Sequence, residues 1–308
     1  MRVVSLLPSA TEIVAELDCL ELLVGRSEEC DWPAAVRNLP VVSRARVDTA
    51  SLSSREVDDV VREAVSGGRS LYAVDEGVLD ELRPDLVLTQ DLCAVCAVAS
   101  GELCALDVPT LSLDPRTLEE IAVSVERVGE ALGVAERGRD RAARMRDEIE
   151  AVRGATRGLA RPRVFVAEWV DPPYAPGHWI PELVDVAGGD NVLGTAGEHS
   201  LPVDWDAVRV AQPDLLVLAP CGYASERAAR EPFPTDVAPR VVAVDANAYY
   251  ARPAPRVVEG ARQLAHLMHP AEVADPGVPG IELAPAVSAA RIPVYARGTR
   301  RTAIRPRS

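Results

Sequence analysis

Short apolar runs alternate with segments of helical period along most of the chain. Residues 2–7 read as a strand. Ser9 follows, with Glu12 three residues on, a capping-box spacing that predicts a helix over 9–17. Residues 22–25 form a second short apolar run. Residues 75–82 have helical period, and Pro84 leads into an apolar strand at 85–89. Residues 92–106 read mostly as helix, 109–113 as a strand, and 115–132 as a helix opened by Pro115.

The second half repeats the scheme. Strands are predicted at 163–169, 215–219 and 240–245, and helices at 180–187, 204–211 and 255–268, with Gly188-Gly189 ending the first of these helices. The repetition is visible in residues: Leu82-Arg83-Pro84-Asp85-Leu86-Val87-Leu88 parallels Ala211-Gln212-Pro213-Asp214-Leu215-Leu216-Val217. Each stretch is followed by another strand ending in Asp (Asp114, Asp245). Alternating strands and helices imply parallel sheets with crossover helices, and two such halves imply two Rossmann-like α/β lobes. Between them, residues 134–159 lack Pro and place Met145, Ile149 and Val152 at i, i+4, i+7 among many charges. That predicts one amphipathic bridging helix of about 25 residues, roughly 37 Å long. The expected division is an N-terminal lobe over 1–133, the bridge over 134–159 and a C-terminal lobe over 160–270. From 271 to 308 the pattern dissolves among Pro276, Pro279, Pro285, Pro293 and Pro306, and a disordered tail is expected.

Composition narrows the function. At 308 residues the chain is long enough for a sizeable core and about two domains. A mean hydropathy of +0.03, with no long apolar run, argues against membrane-spanning helices. All 33 basic residues are arginine. Without lysine there is no Schiff-base chemistry and no Walker-type phosphate loop. The net charge of −14 disfavours a broad nucleic-acid-binding face, although six arginines from Arg291 on face no acid. The apolar stretch after Arg2 stops at Pro8 and is followed by Ser9, Thr11 and Glu12, which is too short for a secretion signal. The expectation is a cytoplasmic chain with six reduced cysteines, periplasmic or extracellular only if the start codon is misassigned.

Ligands of open parallel sheets sit beyond the carboxyl ends of the strands. Reactive side chains are concentrated in the loops expected there. Cys30, Asp31 and Trp32 follow the second strand; Gln90, Cys93 and Cys96 follow 85–89. Trp169, Tyr174, His178 and Trp179 follow the first strand of the second half, Cys221 the next, and Tyr250 and Arg252 the last. Cys93 and Cys96 form a CxxC at a helix N-terminus, where the macrodipole favours thiolate. With Cys30, Cys221 and His178 they form a candidate set for zinc or an iron–sulfur cluster. The same pair also fits small core-facing residues on one helix. The aromatic residues suit stacking on a large flat ligand or packing at a lobe edge. No Gly-x-Ser-x-Gly elbow and no HExxH appears, and no enzyme activity is expected.

These motifs resemble a family. Val3-Val4-Ser5-Leu6-Leu7-Pro8-Ser9-Ala10-Thr11-Glu12 is similar to the opening of the substrate-binding proteins for cobalamin and iron–siderophores in ABC import systems, class III of the periplasmic binding proteins. Leu82–Leu88, Arg163-Val164-Phe165, Pro172-Pro173-Tyr174, Gly188-Gly189-Asp190-Asn191-Val192 and residues 211–218 follow in the family's order. Glu29-Cys30-Asp31, the Cys93/Cys96 pair, Gly177-His178-Trp179 and Pro220-Cys221-Gly222 resemble motifs of its leaderless, cobalamin-binding group. The resemblance covers about residues 2–270. It implies two α/β lobes on one helix and a cobalamin- or chelate-sized cleft, without catalysis. Trp32, Trp169, Tyr174, Trp179 and Tyr250 would stack on the ligand, Gln90 and Arg252 would bind its polar groups, and Cys30, Cys93, Cys96, Cys221 or His178 would supply metal ligands. It also implies an ABC permease as partner, docked on one acid per lobe; the matching helix starts hold Glu76 and Asp206, which equally fit plain N-terminal helix acids. The alternative is a cytoplasmic metal-cluster or thiol-redox protein on the same scaffold.

Overall fold

The computed structural model describes residues 1–67, 69–90 and 108–283. The expected helix over 92–106, with Cys93 and Cys96, lies outside the described residues.

The first lobe opens with β1 (Val3–Ser5), α1 (Pro8–Glu16) and β2 (Leu23–Ser27). Next come β3 (Val41–Ala45), α2 (Ser54–Ser66), β4 (Tyr72–Val74), α3 (Glu76–Leu82), β5 (Leu86–Thr89) and β6 (Thr110–Ser112). The sheet order is β4-β3-β2-β1-β5-β6. All neighbours are parallel except β4, which runs antiparallel to β3. The sequence left 41–74 unassigned.

α1 starts differently from the expectation. Pro8 occupies its first turn and Leu7 is the N-cap, without a side-chain cap. Proline has no N–H to satisfy and its φ suits a helix start. Ser9 and Glu12 therefore lie inside the helix, and both are buried.

α4 (Leu118–Ala131), capped by the Thr117 side chain, leads through Gly133 into α5 (Ala135–Thr156). Gly129 on α4 and Gly138 on α5 meet so closely that a Cβ on Gly129 would lie 2.8 Å from the Gly138 Cα. Met145, Ile149 and Val152 are buried, as their spacing predicts. α5 packs on α4 in the first half and on α6 and α10 in the second.

The second half comprises β7 (Arg163–Ala167), β8 (Trp169–Val170), β9 (Pro173–Ala175), α6 (Ile180–Val186), β10 (Asp190–Asn191), β11 (Leu201–Pro202) and α7 (Trp205–Ala211). It continues with β12 (Leu215–Leu218), α8 (Ser225–Ala228), β13 (Arg240–Val244), α9 (Ala246–Tyr249), α10 (Val257–Met268) and β14 (Gly280–Leu283). Its main sheet has the order β10-β7-β12-β13-β14, and β11-β9-β8 form a small side sheet. β7, β12 and β13 pair in parallel and are almost wholly buried, as a two-faced parallel sheet requires.

β14 corrects the expectation of disorder from 271. It pairs antiparallel with β13, Ile281 and Leu283 pack against the second lobe's core, and Gln263 Nε2 donates to the carbonyls of Val278 and Pro279. No described helix is long and apolar enough to cross a membrane.

Candidate functional site

The carboxyl ends of β1, β2 and β5 and those of β7, β12 and β13 carry the candidate residues. Two sets of polar contacts join the lobes there.

The first set is built on Glu12. It is 0% exposed, and Arg252 Nη1, from the second lobe, donates to its Oε1 at 2.9 Å. Arg256 Nη1 reaches the same oxygen at 3.2 Å. Burial pushes the Glu12 carboxyl pKa up, while the two arginines act against that rise. Arg252 also donates to Asp31 Oδ1 at 2.6 Å and to the Glu29 carbonyl at 3.1 Å, and Asn247 Oδ1 accepts from it at 3.0 Å. The Arg256 guanidinium lies 4.7 Å from the Trp32 ring centroid and 4.9 Å from that of Tyr249. Arg252 thus serves a buried ion-pair network across the seam.

The second set joins α2 to the second lobe. Trp169 Nε1 donates to the Ser54 carbonyl at 3.1 Å, and the Tyr174 hydroxyl donates to Asp58 Oδ1 at 3.1 Å. Arg227 Nη2 donates to the carbonyls of Thr49 at 2.9 Å and Leu52 at 3.3 Å. Arg55 pairs with Asp171, and the Ser54 hydroxyl donates to Glu231. Arg227 lies 3.7 Å over the Tyr223 ring, and Trp169 meets Tyr223 edge-on with centroids 5.2 Å apart.

His178 stands in the loop before α6 with φ +48°, the left-handed region. Its N–H donates to the Glu198 carbonyl at 2.7 Å, and its own carbonyl accepts from Gly197 N at 2.9 Å. Gly177 is required beside it: a Cβ there would lie 2.4 Å from Ser200 N and 2.6 Å from the Glu198 carbonyl oxygen. Glu168 helps hold this loop by accepting from Gly177 N at 3.2 Å. The His178 ring meets His199 edge-on at 5.3 Å, and its Nε2 is buried with no hydrogen-bond partner. Burial lowers its pKa to about 4, with smaller contributions from His199 and Arg116, so the imidazole is neutral near pH 7.

Other expected site residues lie elsewhere. Trp179 is 5% exposed, and its Nε1 donates to the Tyr250 carbonyl at 2.8 Å. Tyr250 is 1% exposed and donates its hydroxyl to Gln263 Oε1 at 2.7 Å. Both belong to the core under α6, α9 and α10, which corrects the expectation that they stack on a ligand. Gln90 is buried at the end of β5, and Trp32 is half-buried. Glu76 and Asp206 are exposed in the first turns of α3 and α7.

The cysteine expectation also changes. Cys30 is 1% exposed and accepts from Thr11 Oγ1 at 3.1 Å, and burial pushes its thiol pKa up to about 11. Cys221 is exposed. Among the described residues, no three His, Cys, Asp or Glu side chains are grouped to hold a metal ion. The zinc or iron–sulfur cluster has no support there. A buried neutral thiol is a poor ligand, since metals bind thiolate.

Asp58, Arg227 and Arg256 entered the site without a sequence signal having singled them out; Tyr223 lies in the strand-end loop of Cys221, and Glu12 was expected only as a capping residue. Asp58 was accessible: Ser53 and Glu56 have capping-box spacing, and Val57, Val61 and Ala64 mark a helix face. Glu12 was not, because nothing local distinguishes a buried acid from an exposed one.

The family described as periplasmic binding protein matches residues 3–237, about three-quarters of the chain. The vitamin B12-binding protein of Yersinia pestis (strain Pestoides F) is 23% identical over 276 residues, covering 87% of this chain and 86% of that protein. Among solved structures, the periplasmic vitamin B12-binding protein BtuF of Vibrio cholerae superposes with a TM-score of 0.64 at 21% identity, over 86% of this chain and 94% of that one. The periplasmic heme-binding protein RhuT from Roseiflexus sp. RS-1 gives 0.63 at 23% identity, over 88% and 98%. The matching family is described as periplasmic, which overturns the expectation of a cytoplasmic chain and leaves the cytoplasmic redox alternative without support. Compartment therefore gives no reason for the six cysteines to be reduced. The matched relatives are binding proteins, not enzymes.

Proposed function

Because this chain belongs to the periplasmic binding protein family, we propose that it is a substrate-binding protein of an ABC importer that holds one corrinoid, haem or related metal chelate between its lobes. The observation that carries this reading is the seam itself. Two parallel sheets turn their carboxyl ends toward it, and the aromatic side chains of Trp169, Tyr174 and Tyr223 gather on the second lobe's side. Relatives named as B12- and heme-binding support the chelate class.

In this reading the lobes are residues 1–133 and 160–283, the second closed by β14, with 134–159 as a stiff bridge. Trp169, Tyr174 and Trp32 give flat faces to the macrocycle. Gln90 meets a polar substituent, and His178 presents a neutral nitrogen. Arg252 holds the lobes in register. Glu76 and Asp206, one exposed acid on each lobe, meet basic residues of the permease.

The test is an equilibrium titration with cyanocobalamin and, separately, haemin, read by tryptophan fluorescence and chelate absorbance. Saturable one-to-one binding of at least one chelate is expected. If neither spectrum nor fluorescence responds at micromolar concentrations, the reading is wrong.

A further inference from the structure

α2 is tied to the molecule in an unusual way. Its apolar residues Val57 and Ala64 are buried, yet they belong to none of the three apolar clusters formed among the described residues. α2 makes no extensive packing contact with any other described helix or strand. What it does make is a row of polar bonds to the opposite lobe. Ser54 takes the Trp169 indole N–H, Asp58 takes the Tyr174 hydroxyl, and the backbone at Thr49 and Leu52 takes the Arg227 guanidinium. Arg55–Asp171 and Ser54–Glu231 add two more. The partners of α2 are thus the aromatic residues to which a ligand role was given above, and the side chains beside them.

We propose that residues 49–66 form an internal strap. In this conformation the strap clasps the second lobe by the polar edges of Trp169 and Tyr174, and seating a chelate on the faces of these rings requires it to move away. Among the described residues, what ties this segment to the second lobe is a row of separate hydrogen bonds and one ion pair, which open at lower cost than an apolar core. The strap is well suited to moving as a unit. Its helix is closed at the front by a complete capping box, with Ser53 and Glu56 bonding reciprocally, so release does not require α2 to unfold. While it stays docked, the competent fraction of molecules is small, and the apparent affinity is reduced by that fraction. The second half of the inference rests on the chelate-binding reading; the first half does not.

Hydrogen exchange on the full chain separates the two. Arg227→Ala removes the bonds to Thr49 and Leu52 from the second lobe, and Arg55→Ala removes the bond to Asp171 from the strap. The pair of variants guards against one simply misfolding. Without ligand, Arg227→Ala should speed exchange of the α2 amides by about 10-fold, the equilibrium worth of one charge-assisted bond, Arg55→Ala by up to about 5-fold because its pair is solvent-screened, and both should leave β7 and β12 amides unchanged. Unchanged α2 exchange in both overturns the strap. With cyanocobalamin or haemin, α2 exchange should rise in the wild type, and both variants should bind up to about 10-fold more tightly. Slower α2 exchange on binding, or equal or weaker affinity in both variants, overturns the competition and makes α2 a wall of the ligand site instead. If no chelate binds any of the three proteins, the chelate reading and the competition fail together, while the ligand-free exchange still decides whether the strap exists.

Discussion

Replacing Arg252 by methionine tests the energetic weight of the seam. The guanidinium is 8% exposed and neutralises Glu12, which is fully buried, at 2.9 Å. It also pairs with Asp31 at 2.6 Å, where the carboxylate is 36% exposed. Removing one partner of a buried ion pair costs about 3–5 kcal/mol, because the surviving charge stays desolvated. Two features pull the loss to the lower end. Arg256 remains 3.2 Å from Glu12, and Asp31 can rehydrate. The expected loss is about 3 kcal/mol. At roughly 2–4 °C per kcal/mol for a chain of this size, the unfolding midpoint drops by about 6–12 °C. The assay is thermal and urea unfolding of Arg252→Met, Glu12→Gln and the double variant. Glu12→Gln removes the stranded carboxylate, so the double variant should be less destabilised than the sum of the singles by about 1–2 kcal/mol. Strict additivity, or an Arg252→Met loss under about 1 kcal/mol, would refute the claim that a buried charge network joins the lobes.

Three further outcomes follow from the same geometry. His178 has a folded-state pKa of about 4 against an ordinary 6.5, so the unfolded chain takes up a proton in that window which the folded chain refuses. Stability should fall as pH drops from about 6.5 toward 4, and His178→Asn should flatten that part of the curve; an unchanged slope would remove His178 from the account. Gly177→Ala drives a Cβ into the backbone of 198–200, and the expected cost is about 2–4 kcal/mol in chemical unfolding; a wild-type midpoint would mean the loop relaxes freely. Iodoacetamide at mildly alkaline pH should label exposed Cys221 in the native protein and spare Cys19 and Cys30, both buried with thiol pKa values raised by desolvation. Peptide mass spectrometry showing early labelling of Cys30 would contradict its placement.

The regular α/β alternation was readable because each crossover unit announces itself locally. Pro84 and Pro213 precede strands, Gly188-Gly189 ends a helix, and the Met145, Ile149, Val152 spacing marks the buried side of α5. What was missed has specific causes. Pro8 starts α1 one residue before the Ser9 capping signal, because a ring-fixed φ serves as well as a side-chain cap. β14 hid behind Pro276 and Pro279, read as breakers, although a proline is tolerated just ahead of an edge strand. Residues 41–74 combine strands of five and three residues, too short to show a period of their own, with α2, whose capping box and Val57, Val61, Ala64 spacing were the readable signal there.

The site was less legible than the fold. Aromatic residues in strand-end loops were read together as one wall, yet the Trp179 indole turns inward to the Tyr250 carbonyl while the Trp169 indole turns outward to Ser54. Local sequence does not encode which way a loop aromatic turns. Cys30 follows the second strand, in a loop where ligands were expected, but its side chain goes into the core against Thr11. Compartment is not written in packing patterns at all, and the family match corrected it.

The central claim is that a metal chelate is held between the two lobes. Anomalous scattering at the cobalt or iron edge, from crystals grown with cyanocobalamin or haemin, locates the metal directly. The account predicts one peak between the carboxyl ends of the two sheets, with the macrocycle against Trp169 and Tyr174. A peak on the outer surface, or one ligated by Cys221 away from both aromatic rings, would contradict it.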